Sequence, residues 1–198
     1  MVRKVKKSVW LLVVAVVVSA CSLMQAIALK DCRYTYAKMT DVSFLGMTSA
    51  DMLTLTGPAR LAVGLLGKSD APLDFTIHLN VYNPNQTTAA MEALYYRVLL
   101  DSVQVTEGSM KESFMVVGGA TEDLPIKLSV DMKALLHSDN RPVITRAIKN
   151  IIGLNADPTN VTVLLKPTVR MGSSLITSPV FIPVNFTYTG KKAKNEEQ

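Results

Sequence analysis

The stretch Leu73-Asp74-Phe75-Thr76-Ile77-His78-Leu79-Asn80-Val81-Tyr82 alternates without a slip. A period of two puts Leu73, Phe75, Ile77, Leu79 and Val81 on one face and the intervening residues on the other, as a half-buried strand requires. Asn83-Pro84-Asn85 then stops the strand, because proline lacks the ladder donor and fixes φ while asparagine favours turns. The pattern recurs downstream. Met91–Asp101 places Leu94, Tyr96, Val98 and Leu100 on one face. Val103–Glu107 followed by Gly108 reads as an adjoining strand and turn, and Ser113–Val117 as another, stopped by Gly118-Gly119. Leu124, Ile126, Leu128, Val130 and Met132 alternate with polar residues and Pro125. Val161–Arg170 and Pro179–Tyr188 close the series, with Val180, Ile182, Val184, Phe186 and Tyr188 on one face of the last. Upstream, Arg33–Leu45 reads as a first strand with a bend. Strands punctuated by turns every eight to twelve residues or so specify an all-β fold, an antiparallel β-sandwich of about seven strands.

Two short helices interrupt the strands. Gly57-Pro58 opens a run that ends at Gly67, with Leu61, Leu65 and Leu66 as its apolar stripe. Ser138-Asp139-Asn140 and Pro142 open a second, in which Ile144, Ile148, Ile151 and Ile152 recur at helical spacing up to Gly153. A stripe of that width covers one end of a sandwich.

The N-terminus carries the location signal. Arg3, Lys4, Lys6 and Lys7 precede an apolar run from Val9 to Val18, and Ser19-Ala20 lead into Cys21. A basic start, a short apolar core and a small-residue exit make a secretory signal over residues 1–20. Val18-Ser19-Ala20-Cys21 resembles a bacterial lipobox. That resemblance implies cleavage between Ala20 and Cys21 and acylation of the Cys21 thiol, with residues 21–32 as a tether. Ser22 after the cysteine implies sorting to the outer membrane, with the body periplasmic. The rival reading is an uncleaved membrane helix, since no charge interrupts Ser8 to Leu29. Both readings put the body outside the cytoplasm, because the basic flank stays inside.

Charge and chemistry narrow the function further. The formal net charge of +5 belongs to the whole chain. Removing residues 1–20 takes away four basic side chains and no acidic one, leaving +1, so no nucleic-acid surface is implied. With Cys21 acylated, Cys32 has no partner in the chain and reads as an unpaired thiol near the tether. His78 and His137 lack ligand spacing and read as surface residues, and no nucleophile or zinc motif occurs. The sequence therefore predicts no catalytic, cofactor or metal residues and no enzyme. Asp51, Asp101 and Asp131 are the acidic residues whose meeting in space would reopen that question. Asn85, Asn160 and Asn185 each begin a glycosylation pattern that a bacterial cell leaves unused. Tyr82 and Phe181 face outward, where single apolar residues are ordinary.

The segment Leu79-Asn80-Val81-Tyr82-Asn83-Pro84-Asn85, with Ala93–Val98, Gly108 and Ile126-Lys127-Leu128-Ser129-Val130, resembles the type 2 late embryogenesis abundant proteins, whose domain is also called the water stress and hypersensitive response domain. The resemblance spans roughly residues 40 to 189. It implies a fibronectin type III-like sandwich and an association with desiccation or osmotic stress, without catalytic residues. The helix near 142–152 departs from a minimal family member. The expected organisation is a signal peptide over 1–20, a lipidated tether over 21–32, a sandwich over 33–190 and a charged, frayed tail over 191–198. The expected partner is the membrane, through Cys21. The alternative role is a tethered module that binds a glycan, a lipid or an envelope protein.

Overall fold

The structure, a computed structural model, describes residues 28–48, 51, 72–132, 140–151, 157–189 and 192–195. The helix expected after Gly57-Pro58 lies outside the described residues, as do Ala20, Cys21 and His137. The strands are β1 (Arg33–Phe44), β2 (Met47–Thr48), β3 (Pro72–Tyr82), β4 (Ala89–Met91), β5 (Ala93–Leu100), β6 (Val103–Met110), β7 (Phe114–Val116), β8 (Thr121–Asp131), β9 (Thr159–Met171), β10 (Ser174–Thr177), β11 (Ile182–Thr189) and β12 (Lys192–Asn195). The helix α1 spans Arg141–Ile151.

All strand pairs are antiparallel. One sheet runs β2-β1-β3-β8. The facing sheet runs β12-β11-β9-β5-β6, with β10 continuing beside the end of β9, and β4 pairs β7 separately. Apart from β2, β12 and the short β4, β7 and β10, this is a sandwich of three long strands on four, in the fibronectin type III arrangement. The alternation of β3 places Leu73, Phe75, Ile77, Leu79 and Val81 in the core against Leu94, Val98, Val163, Leu165, Val184 and Phe186 of the other sheet. At one edge Tyr36 stacks on Phe186, with ring centroids 4.3 Å apart. At the other, Tyr96 donates to the Lys127 carbonyl at 2.9 Å and Thr106 to the Ser129 carbonyl at 2.9 Å, which ties β5 and β6 to β8.

Several expectations change. Gly108 is no turn. It pairs with Tyr96 inside β6, and a Cβ there would lie 2.5 Å from the Tyr96 hydroxyl, so glycine makes room for the crossing ring. Val180 and Phe181 precede β11 rather than joining it, and Val180 is exposed. Residues 192–195 of the expected frayed tail form β12, because the free edge of β11 offers unpaired backbone donors and acceptors. Residues 28–32, placed in the expected tether, pack with the body. Residues 28–31 are helical, and Ala28, Leu29 and Cys32 are buried in the core cluster. The Tyr34 hydroxyl donates to the Leu29 carbonyl at 2.8 Å, which anchors that turn to β1. α1 covers the end of the sandwich as expected: Ile144 and Ala147 are buried, and Asn150 donates to Thr159 Oγ1 at 2.6 Å.

The sandwich has two poles. Ala28, the turn after β3, β4, β7 and β10 lie at one, here the near pole. α1 and the turn between β5 and β6 lie at the far pole.

Candidate functional site

The outward face of the β1-β3-β8 sheet carries a chain of polar side chains. His78 stands on the middle strand with Lys38 and Pro125 as its register neighbours. Its Nδ1 lies 2.7 Å from Asp123 Oδ2, and its Nε2 lies 3.0 Å from Thr40 Oγ1. Thr40 in turn donates to Asp41 Oδ2 at 2.8 Å. The surface reading of His78 is thereby corrected: its side chain is only 14% exposed. The pleat aims the ring outward, but side chains of both neighbouring strands enclose it. Asp41 sits in a left-handed conformation (φ 55°) where β1 bulges between Thr40 and Ser43. Hydrogen bonds from Thr40 and then Thr76 hold its carboxyl below the usual aspartate range, with smaller help from His78 and Lys127.

A hydroxyl, an imidazole and a carboxylate in this order match the outline of a nucleophile, its base and an orienting acid. The proton of Thr40 argues otherwise, because it goes to Asp41 and not to the ring. The chain ties side chains of three strands together, from Asp41 through Thr40 and His78 to Asp123. Beside it opens a cleft of about 480 Å³, lined by Asp41, Asp74, Thr76, Lys127 and Ser129 on the face and by Tyr96, Thr106 and Glu107 where β8 meets β6. Phe75 and Leu128 complete the lining, so carboxylates, hydroxyls and one ammonium stand beside apolar surface.

The Asn-Pro-Asn motif builds a corner of the fold. Asn83 is fully buried. Its amide donates to the Thr87 carbonyl at 2.8 Å and the Val116 carbonyl at 3.0 Å, and its Oδ1 accepts from Asn85 N and Nδ2. Asn85 Nδ2 also donates to the Ala28 carbonyl at 3.3 Å. Gly118 lies against this loop; a Cβ there would stand 2.5 Å from the Asn85 carbonyl oxygen. Gly118-Gly119 is thus a turn, as read, and the Asn85 amide is occupied within the fold.

On the outward face of the other sheet, Glu107 accepts from Tyr95 at 2.6 Å, Arg97 at 3.1 Å and Gln104 at 3.1 Å. The Tyr95 bond, foremost, lowers the Glu107 carboxyl from its usual range. Phe181, read as outward, carries Arg97 5.3 Å and Lys166 5.2 Å from its ring centroid.

Cys32 is buried and donates its thiol to the Ala28 carbonyl at 3.1 Å. Burial, then Asp31, pushes the thiol up to about 11, which matches an inert thiol. The three aspartates have separate partners or places. Asp51 accepts from Thr48; Asp101 accepts from Arg146 and from the Asn160 amide; Asp131 ends β8 opposite Pro72. No group of three His, Cys, Asp or Glu placed to hold a metal occurs among the described residues. The His78 relay escaped the sequence reading, because Thr40, His78 and Asp123 are far apart in the chain and meet only through register.

No protein-family model matches the chain, and no curated protein matches it. Among solved structures it is similar to a protein from Archaeoglobus fulgidus, at 14% identity and a TM-score of 0.38, over 80% of this chain and 94% of that one. It is similar to a protein from Arabidopsis thaliana at 11% identity and a TM-score of 0.41, over 59% of this chain and 70% of that one. A candidate late embryogenesis abundant protein is similar at 14% identity and a TM-score of 0.39, over 93% of this chain and 86% of that one. The sandwich assignment rests on strand order and register.

Proposed function

We propose that the chain is an extracytoplasmic lipoprotein, held at the outer membrane through acylated Cys21, whose sandwich protects other envelope molecules without catalysis during desiccation or osmotic stress. The location rests on the lipobox, and the role on the sequence resemblance over roughly residues 40 to 189. The observation that carries the reading is the corner at Asn83–Asn85: the motif behind the resemblance serves as the joint of a sandwich and holds Ala28, the first described residue after Cys21. The test dries or freezes a labile enzyme with the chain from Ser22 onward, beside an unrelated sandwich of equal mass. Protection beyond that control is expected; protection equal to it removes the stress role.

A second reading is favoured by the cleft beside Lys127, where polar and apolar groups meet. There the domain is a tethered module that binds a glycan or polyol across Asp41, Asp74 and Lys127. Saturation-transfer NMR with a panel of envelope glycans, repeated on Lys127→Ala, separates the two. Transfer that Lys127→Ala abolishes supports the binding module, and transfer from no member of the panel sinks it.

A further inference from the structure

The six large apolar side chains exposed among the described residues are Tyr82, Met115, Val117, Leu175, Ile176 and Val180. All six lie at the near pole. Tyr82 ends β3, opposite Arg33 and Thr121. Met115 is in β7 and Val117 follows it; Leu175 and Ile176 are in β10, and Val180 is in the loop after it. These elements are contiguous. β7 pairs β4, the Glu92 amide next to β4 donates to the Thr168 carbonyl of β9 at 2.8 Å, and the same end of β9 pairs β10. Met115, Val117, Leu175 and Val180 are each more than half exposed, at 62%, 58%, 56% and 55%. Isolated exposed apolar residues are ordinary, but a set gathered on one end marks a contact surface.

The chain says what covers this end. The first described residue, Ala28, is held at the same pole by the Asn83–Asn85 corner. Only residues 22–27 separate Ala28 from Cys21, a span of at most about 24 Å fully extended. β3 and β8, at eleven residues each, make the sandwich about 36 Å long. An anchor at Cys21 therefore keeps the near pole within reach of the bilayer, while the far pole can point away from it. Lys30, Arg33 and Lys111 are offset by Asp31 and Glu112 nearby, so apolar contact, more than charge, would drive the contact.

We propose that the near pole is a membrane-docking surface: the side chains of β7, β10 and their loops enter the interface of the bilayer that holds the chain's own N-terminus. The inference rests on the tether proposed above. Docking would fix the direction of the sandwich, with α1 and the β5–β6 turn projecting from the membrane.

The test takes the chain as extracted from membranes and reconstituted in phosphatidylethanolamine–phosphatidylglycerol vesicles. Single substitutions Val117→Cys and Leu175→Cys report the near pole, and Ser102→Cys the far pole, each labelled with an environment-sensitive nitrobenzoxadiazole; buried Cys32 does not compete. Near-pole labels are expected to shift to the blue and to be quenched at least about threefold more than the Ser102 label by lipids brominated on the acyl chain. Met115→Asp with Ile176→Asp is expected to abolish that difference while thermal unfolding stays unchanged. Near-pole labels that behave as the Ser102 label does overturn the proposal. So does a blue shift without bromine quenching, which would mean that a second copy or the chain's own N-terminal segment covers the pole. The mass of the N-terminal peptide reads the anchor separately: an unacylated Cys21 sinks the lipoprotein reading, and the labels still decide docking.

Discussion

At the scale of single residues, the informative positions are those where a side chain or its absence meets a second strand. Gly118 is one. Its missing Cβ leaves room for the Asn85 carbonyl, which belongs to backbone and cannot swing aside. Gly118→Ala should therefore cost about 2 kcal/mol or more, read as a lower urea midpoint with an unchanged slope. Asp41 is another. Its folded carboxyl is held below the unfolded value by Thr40 and Thr76, so it contributes stability above the unfolded value, near pH 4, and loses it as pH falls through the folded value. Urea unfolding of Asp41→Asn beside the parent should show the parent ahead at pH 7 and the gap closing below about pH 4. A gap that persists at low pH would assign the difference to shape instead of charge. Asparagine is suited to this comparison because it tolerates the left-handed backbone that Asp41 adopts.

At the scale of elements, the β5–β6 hairpin shows how local and distant constraints combine. Asp101 and Ser102 have φ of 45° and 71°, and Leu100 pairs Val103 across them, so this is a two-residue turn with both central residues left-handed. Asp101 earns its place through tertiary contacts, since it accepts from Arg146 of α1 and from the Asn160 amide at 2.9 Å. Ser102 makes no comparable contribution to the turn. Ser102→Gly should raise stability by about 0.5–1 kcal/mol by relieving the left-handed strain, and a higher thermal midpoint would register it. Alternation made the long strands legible in the sequence, β3 almost to the residue and β8 without its polar first three residues. The missed elements have weaker patterns. β10 (Ser-Leu-Ile-Thr) exposes all four side chains, and β12 is a charged strip that forms a strand only because β11 offers an edge.

At the scale of the molecule, the segment just before β1 matters most. Ala28 and Leu29 are almost fully buried, and Tyr34 and Asn85 both donate to carbonyls of that turn. A body begun at Arg33 loses that burial and leaves the Tyr34 hydroxyl without its acceptor. Compared with a chain begun at Ser22, it should be less stable by about 3 kcal/mol, from lost apolar burial and one unmet buried hydroxyl. Equal urea midpoints for the two would show that residues 28–32 are dispensable. In the anchored reading proposed above, this packed segment would shorten the reach from Cys21.

The sequence by itself determined the fold class, the main strands, the corner at Asn83–Asn85 and the expectation of an anchored N-terminus. Those depend on period-two burial, turn chemistry and a linear signal, each local in the chain. Only the tertiary structure decided that His78 joins Thr40 to Asp123, that Gly108 lies within a strand, that residues 28–32 pack with the core and that the apolar residues exposed among the described ones gather at one pole. Each of these depends on which strands become neighbours and in what register, which is set by the packing of the whole sandwich and not by any one stretch of it.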